Sequence, residues 1–191
     1  FLGANRYRDE SGSVSLRGTS YIEQLVKRFA DGDLSKYPAA WSYTPADDTL
    51  VRAHAEAVAS RTPPAPEFTK AYQTLFGALL HACKTRPEIR AAMGLLGTCA
   101  TFATDELHEC MMRVLVYLGR TPEIGATYTD VGPRAAKLHA FADSNWAETR
   151  STTGYTIQLA NATIASTSKR QHCISMSSCE AELIALADLA I

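Results

Sequence analysis

The sequence predicts an α+β protein: a run of helices followed by a β-β-β-α unit. Three observations predict it. Apolar residues recur at helical spacing through residues 68–118. Between residues 138 and 168 the pattern shifts to short β-branched runs bounded by polar residues. Ser177-Ser178-Cys179-Glu180 then has the form of a capping box, followed by Leu183, Ile184, Leu186 and Ala187. The chain has 191 residues, 46% hydrophobic and 20% charged, which is enough apolar surface for a core and excludes a compositionally disordered chain.

Residues 1–17 alternate loosely around a turn signal, Asp9-Glu10-Ser11-Gly12, and predict a β-hairpin. Ser20-Tyr21-Ile22-Glu23 predicts a capping box, with Ile22, Leu25, Val26 and Phe29 as the inner face of a helix over residues 20–30. Residues 38–66 hold Pro38, Pro45, Pro63, Pro64 and Pro66 and predict a linker, with Val51–Ala59 as a short helix inside it. Tyr72, Leu75, Phe76, Leu79 and Leu80 form one stripe of a helix over 68–82. Thr85-Arg86-Pro87 breaks it, and Pro87 opens the next helix, over 87–102, where its missing N–H costs nothing. Thr104, with Asp105 and Glu106 behind it, predicts the start of a third helix that runs to Leu118 and stops at Gly119. Leu138–Asp143, Gly154–Ala160 and Ala162–Ser168 are the three strand candidates, and the last helix follows Ser177.

Charge is nearly balanced, at −1 overall. Residues 1–100 carry 12 Lys/Arg against 10 Asp/Glu, and residues 101–191 carry 7 against 10, so the halves are +2 and −3. A highly basic nucleic-acid coat and an acidic tail are both excluded. The five cysteines (83, 99, 110, 173 and 179) are odd in number and lack a CxxC spacing. They predict reduced thiols rather than a disulfide framework. His172 with Cys173 and Cys179 fits no zinc spacing. No apolar run approaches the ~20 residues of a membrane span. The first residues show no initiator Met or signal-peptide layout, and the last ones stop inside a helical pattern, so the reading expects a fragment.

Two carboxylates stand out. Asp143 closes the first strand of the β-β-β-α stretch, within Phe141-Ala142-Asp143-Ser144-Asn145-Trp146. An acid among apolar neighbours is expensive to bury unless it is paired or binds a metal; the bland alternative is a strand-end turn residue. Glu182 lies in the first turns of the last helix, where an acid is also favoured by the helix dipole alone. Glu180 holds the capping-box position and should fold back on the Ser177 backbone, which leaves Glu182 without a local role.

Four short motifs follow in order: Asp143-Ser144-Asn145-Trp146-Ala147, Arg150-Ser151-Thr152-Thr153-Gly154-Tyr155, Ser168-Lys169-Arg170-Gln171, and Ser177 to Leu186 with Ala181-Glu182-Leu183-Ile184-Ala185-Leu186. Together they resemble the ribonuclease H region of copia-type retrotransposon Pol polyproteins. The first half resembles the same polyproteins. Phe1-Leu2-Gly3 is similar to the primer-grip strands that follow the polymerase centre, and Ser20 to Phe29 to the start of the thumb. Tyr72, Leu75, Gly77, Thr85 to Ile89 and Arg113 to Gly119 are similar to the helical connection. The resemblance implies the end of the reverse transcriptase palm with thumb start and linker over residues 1–66, the helical connection over 67–135, and the N-terminal part of a ribonuclease H-like domain over 136–191. The fold it implies is a helical thumb/connection followed by a truncated ribonuclease H-like β-β-β-α unit.

For the parent enzyme the resemblance implies copying of RNA into DNA and cutting of the RNA strand of RNA–DNA hybrids. The cut uses two Mg²⁺ ions, or Mn²⁺ in their place, held by carboxylates that clamp the scissile phosphate and activate water. Asp143 and Glu182 map onto two of those ligands, and Lys169 and Arg170 onto hybrid-phosphate contacts, their alternative being a solvated turn before the helix. The implied partners are an RNA–DNA hybrid or primer-template and the remainder of the polyprotein, with no membrane. The implied place is intracellular: cytoplasm, virus-like particle or nucleus. The family's polymerase Asp pair and later ribonuclease H acids have no counterpart in this chain, and Ser166 stands where the family often has Trp. The expectation is therefore little or no hybrid cleavage by the chain alone. The alternative function is a catalytically incomplete relic or domesticated fragment acting as a nucleic-acid-binding or assembly module. An unrelated small α+β protein is the third reading.

Overall fold

A computed structural model describes residues 3–129, 132, 137–147 and 150–190. Phe1 and Leu2 of the primer-grip resemblance lie outside the described residues. The chain is a mixed α and β structure with six α-helices and two three-stranded sheets among those residues. It divides into two compact units: Phe1–Arg6 with Leu16–Gly125, and Tyr7–Ser15 with Ala126–Ile191. Strands β1 (Asn5–Arg8), β2 (Val14–Arg17) and β3 (Ala126–Tyr128) form one sheet in that order. The expected hairpin turn is present: the Asp9 carboxylate accepts the Ser13 backbone N–H at 3.0 Å.

The first unit is built on five helices: α1 (Thr19–Phe29), α2 (Asp48–Ser60), α3 (Pro66–Ala82), α4 (Arg90–Thr98) and α5 (Asp105–Arg120). Their inner faces share one core, with Ile22, Leu25, Leu50, Tyr72, Leu75, Leu79, Met93, Leu96, Leu107, Met111 and Leu115 all buried. Three helix starts follow the local chemistry. Thr104 Oγ1 accepts the Leu107 N–H at 3.3 Å, Asp47 accepts the Thr49 N–H at 3.1 Å, and Pro66 occupies the first turn of α3.

Four expectations for this unit are corrected. The Ser20–Glu23 capping box does not form: α1 begins at Thr19 with Gly18 at its cap and no side-chain cap bond, and Ser20 Oγ instead accepts Asn5 Nδ2 at 3.3 Å. Residues 38–66 are more than a linker, because α2 runs the length Asp48–Ser60 and sinks Leu50, Ala53 and Ala57 into the core. The short helix expected over Val51–Ala59 is present, three residues longer at its start and one at its end. The helix expected over 87–102 is a 3-10 turn, Pro87–Ile89, followed by the shorter α4. Gly119 does not end α5, which continues to Arg120. A Cβ at Gly119 would lie 2.7 Å from both Leu34 Cδ1 and Val26 Cγ2, so the glycine permits a close approach of neighbouring side chains.

In the second unit, β4 (Leu138–Asn145), β5 (Thr152–Leu159) and β6 (Ala162–Arg170) form an antiparallel sheet in sequence order, and α6 (Ser178–Ala190) packs on it. The β5–β6 turn is Ala160-Asn161, both left-handed with φ of 50° and 65°, the geometry that closes a two-residue hairpin with the native twist. The second capping box forms with one shift. Ser177 Oγ accepts the Glu180 N–H at 3.2 Å, but Glu180 reaches back to the Met176 N–H at 2.6 Å rather than to Ser177.

Candidate functional site

The sheet register fixes which side chains share a face. Residues directly opposite on antiparallel strands point the same way, and neighbours along a strand alternate. Ser144 lies opposite Thr153, and Thr153 opposite Lys169. Thr153 is fully buried, and Lys169 Nζ pairs with Asp188 of α6 at 3.2 Å, so this is the face that α6 covers. Asp143 lies opposite Gly154, and Gly154 opposite Ser168, on the other face. Asn145, Thr152 and Arg170 belong to that same face. Asp143 is exposed there.

Backbone direction follows from the same ladder. Gln171 N–H donates to Ser151 C=O at 2.8 Å, which makes that pair a mutually bonded rung. Even-numbered β5 residues therefore face β4, and they meet odd-numbered β4 residues. Ala140, Ala142 and Ser144 consequently direct their N–H and C=O groups to the second edge of β4. Among the described residues no strand pairs with that edge. At its end the carboxylate of Glu182 folds down from α6, and Oε1 accepts the Ser144 N–H at 3.3 Å. Ser144 Oγ is buried with no hydrogen-bond partner among the described residues.

The four expected site residues are thus distributed rather than clustered. Glu182 reaches the residue next to Asp143, and strand alternation sends the Asp143 and Ser144 side chains to opposite faces. Lys169 is engaged with Asp188, while Arg170 shares the face of Asp143. Both basic residues lie inside β6, which replaces the solvated-turn alternative. Oxygen donors of this kind suit a hard cation such as Mg²⁺. Two carboxylates, one of them holding a backbone N–H, are nevertheless too few for two ions. Among the described residues no group of three His, Cys, Asp or Glu comes together to hold a metal. The donor set does not fit a two-ion centre.

Sequence reasoning missed what the intervening motif residues do. Gln171 is 1% exposed. Its Nε2 donates to Thr153 Oγ1 at 3.1 Å and to the Ala181 carbonyl at 2.9 Å, and its Oε1 accepts Ser175 Oγ at 2.7 Å. Trp146 Nε1 donates to the Ser175 carbonyl at 3.2 Å, and Ser151 Oγ accepts the Ala147 N–H at 3.3 Å. Residues of the motifs thus take part in polar contacts that tie α6 to the sheet. The only sequence signal was an uncharged Gln following two cations.

Other reactive groups are quiet. Burial raises the Cys83 and Cys110 thiols to about 11, which leaves them protonated and inert. A hollow in the first unit is lined by Trp41, Asp47, Glu106 and Arg113, but its charges are already matched as Asp47–Arg113 and Arg52–Glu106.

No protein-family model matches the chain, and no solved structure matches it. Curated proteins do. A secreted RxLR effector protein 161 from Plasmopara viticola is 34% identical over 122 residues, covering 61% of this chain and 84% of that protein. The retrovirus-related Pol polyproteins from transposons RE1 and RE2 of Arabidopsis thaliana are each 33% identical over 121 residues, covering 61% of this chain. The matched stretch spans 8% of either polyprotein.

Proposed function

We infer, from a chain that belongs to the same family as the secreted RxLR effector protein 161 and is homologous to a segment of retrotransposon Pol polyproteins, that it is the thumb, connection and front part of a ribonuclease H-like domain of such a polyprotein. The supporting observation is local. A β-β-β-α order places Asp143 on the first strand, and Glu182 of the helix reaches the very next residue. The parent enzyme copies RNA into DNA and cleaves the RNA strand of RNA–DNA hybrids, with Mg²⁺ as its cofactor and the remainder of the polyprotein as its partner. It works inside the cell, in the cytoplasm, a virus-like particle or the nucleus.

No catalytic step is assigned to this chain, because the described donors do not fit two ions. Arg170, on the face of Asp143, is the phosphate contact we assign to hybrid binding. Lys169 contributes less, since its charge is committed to Asp188. The second reading, a non-catalytic module derived from Pol, is favoured by one observation: the relative covered over 84% of its length bears the name of an effector, not of a polymerase.

The test is a labelled RNA–DNA hybrid incubated with the chain in Mg²⁺ and in Mn²⁺. The expected result is retention of the hybrid in a salt-sensitive complex, weakened by Arg170→Ala, without cleavage above background. Metal-dependent cutting lost on Asp143→Asn would overturn the incomplete-site reading. Failure to bind any nucleic acid would overturn the Pol-segment function and leave the module.

A further inference from the structure

Between α2 and α3 the chain runs through Arg61-Thr62-Pro63-Pro64-Ala65-Pro66. The local sequence fixes its backbone. Pro63, Pro64 and Pro66 have φ locked by the ring. Thr62, Pro63 and Ala65 each precede a proline, which pushes them out of the helical region toward extended geometry. Ala65 has φ −58° and ψ 145°, close to the polyproline II values of about −75° and +145°. Both ends are anchored. Arg61 closes α2 in a left-handed conformation and its N–H donates to the Ala57 carbonyl at 2.8 Å. Its guanidinium carbon lies 5.9 Å from the centre of the Phe102 ring. At the other end the Ala65 carbonyl accepts the Thr69 N–H at 3.0 Å, the first bond of α3.

The exposure pattern has the polyproline period. Three residues make one turn, so Pro63 and Pro66 share one edge and Thr62 and Ala65 another. All four are exposed, whereas Pro64, on the third edge, is half-buried. The segment thus turns one edge to its own protein and presents two. Thr62-Pro63 and Ala65-Pro66 are X-Pro pairs one turn apart, separated by roughly 9 Å at a rise of about 3.1 Å per residue. Among the described residues no hydrogen bond engages the Thr62, Pro63 or Pro64 carbonyls. Helix-start chemistry accounts for Pro66, and inward packing for Pro64. Neither accounts for the exposed Pro63.

We propose that residues 62–66 dock into an aromatic-lined groove of a partner protein, of the kind that SH3 domains carry, with Thr62-Pro63 and Ala65-Pro66 seated in two successive pockets. The spacing Pro63-x-x-Pro66 is the form that this mode of recognition reads. Proline rings on the two outer edges pack against aromatic side chains, and the N–H or O–H groups of those aromatics can donate to the free carbonyls. Helices packed in one core hold both ends of the segment, so it is ordered before it binds and has little conformational entropy left to lose.

An NMR titration of the 191-residue chain with a panel of purified SH3 domains tests the proposal. It uses neither nucleic acid nor metal, so its outcome is independent of the Pol reading. The expected result is a saturable complex whose shifts centre on the Thr62 and Ala65 amides and on the aromatic residues of the SH3 groove. Pro63→Ala and Pro66→Ala each empty one pocket and should weaken the complex roughly fivefold or more. Pro64→Ala alters the inward edge and should weaken it about twofold at most, through lost stiffness. Circular dichroism checks that each variant folds, and the contrast between Pro63→Ala and Pro64→Ala decides the matter if Pro66→Ala disturbs the start of α3. Four results would each overturn the proposal: no saturable binding to any domain of the panel below about 1 mM, shifts that centre elsewhere on the chain, full affinity in Pro63→Ala, or a loss in Pro64→Ala as large as that in Pro63→Ala.

Discussion

Oε1 of Glu182 lies 3.3 Å from the backbone nitrogen of Ser144, so an acid on α6 satisfies an amide at the edge of β4. That contact is what brings the helix acid next to Asp143 in the chain while the strand's alternation keeps the Asp143 side chain on the far face. A backbone N–H bonded to a side chain exchanges slowly with solvent. Glu182→Ala should speed amide exchange at Ser144 and cost about 0.5–1.5 kcal/mol, the net worth of one such bond. Glu182→Gln keeps an acceptor oxygen and should retain most of the protection. Hydrogen exchange followed by NMR checks both, and unchanged exchange at Ser144 in the Ala variant would contradict the contact.

The polar clasp around Gln171 predicts a larger effect. Its side chain bonds Thr153, Ala181 and Ser175, all in the buried interior between α6 and the sheet. Gln171→Leu fills a similar volume but strands the Ser175 hydroxyl and the Ala181 carbonyl. Leaving buried polar groups unpaired costs about 1–3 kcal/mol each. Urea unfolding monitored by Trp146 fluorescence should show the loss. Gln171→Glu should be at least as damaging, because it exchanges a donor for a charge in a dry site.

Arg86 is the largest fully buried polar side chain of the first unit. Its guanidinium donates to Glu88 at 2.5 Å, to the Thr121 carbonyl at 2.8 Å and to Thr121 Oγ1 at 2.7 Å, and it lies 5.3 Å from the centre of the Tyr117 ring. Removing one partner of a buried charged arrangement typically costs about 3–5 kcal/mol; the partly exposed Glu88 argues for the lower end. Arg86→Lys should recover little of this, since an ammonium cannot fork onto both Thr121 oxygens. Thermal melts of Arg86→Ala and Arg86→Lys check the expectation. Near-wild-type stability in the Lys variant would mean that charge alone suffices.

The second unit was legible in the sequence to a degree that the first was not. Three β-branched runs and a capping box mark β4, β5, β6 and α6 because strands with a half-buried face alternate and a helix start needs an acceptor. The helix α2 was expected only as a short segment, Val51–Ala59; its flanking prolines and a buried face made largely of alanine, which has little hydrophobic contrast, concealed its full length and its place in the core. Ser20 and Glu23 match a capping box by type, yet α1 starts one residue earlier because the chain enters it from β2 through Gly18. For the site, residue types identified Asp143 and Glu182, but facing is a property of register. Only the pairing Asp143 with Gly154 and Ser144 with Thr153 shows that the acid and the helix lie on opposite sides of the strand. The role of Gln171 depends on a carbonyl ten residues further along and has no local pattern to betray it.

Two helix glycines predict opposite outcomes from one substitution. Gly77 sits inside α3 with open space where a Cβ would be, so Gly77→Ala should stabilise by about 0.5–1 kcal/mol through helix propensity and a less flexible unfolded chain. Gly119 gains the same propensity, but its new Cβ would meet Val26 Cγ2 and Leu34 Cδ1 at 2.7 Å. A β-branched valine has little rotamer freedom to move aside. Overpacking of this kind costs about 1–3 kcal/mol, which exceeds the gain. Paired urea titrations of the two variants should therefore shift in opposite directions.

His108 makes the first unit sensitive to mild acid. Burial against Phe68, whose ring centre is 5.9 Å away, lowers its pKa below 6.5, and Asp105 opposes the shift only in part. Above pH 6.5 the imidazole is neutral in both the folded and unfolded chains and adds no pH dependence. As pH falls through 6.5 the unfolded chain takes up the proton first. It then binds more protons than the folded one, so stability declines until the folded pKa is passed, and levels off below it. His108→Gln removes the titration and keeps a polar side chain of similar reach. The unfolding midpoint of the wild type should drop more than that of His108→Gln between about pH 7 and about pH 5, the range spanning an ordinary imidazole. Groups titrating elsewhere are common to both proteins and cancel in the difference. A difference of zero would mean that His108 is as free to protonate in the folded chain as in the unfolded one, and a smaller drop in the wild type than in His108→Gln would mean that Asp105 outweighs burial.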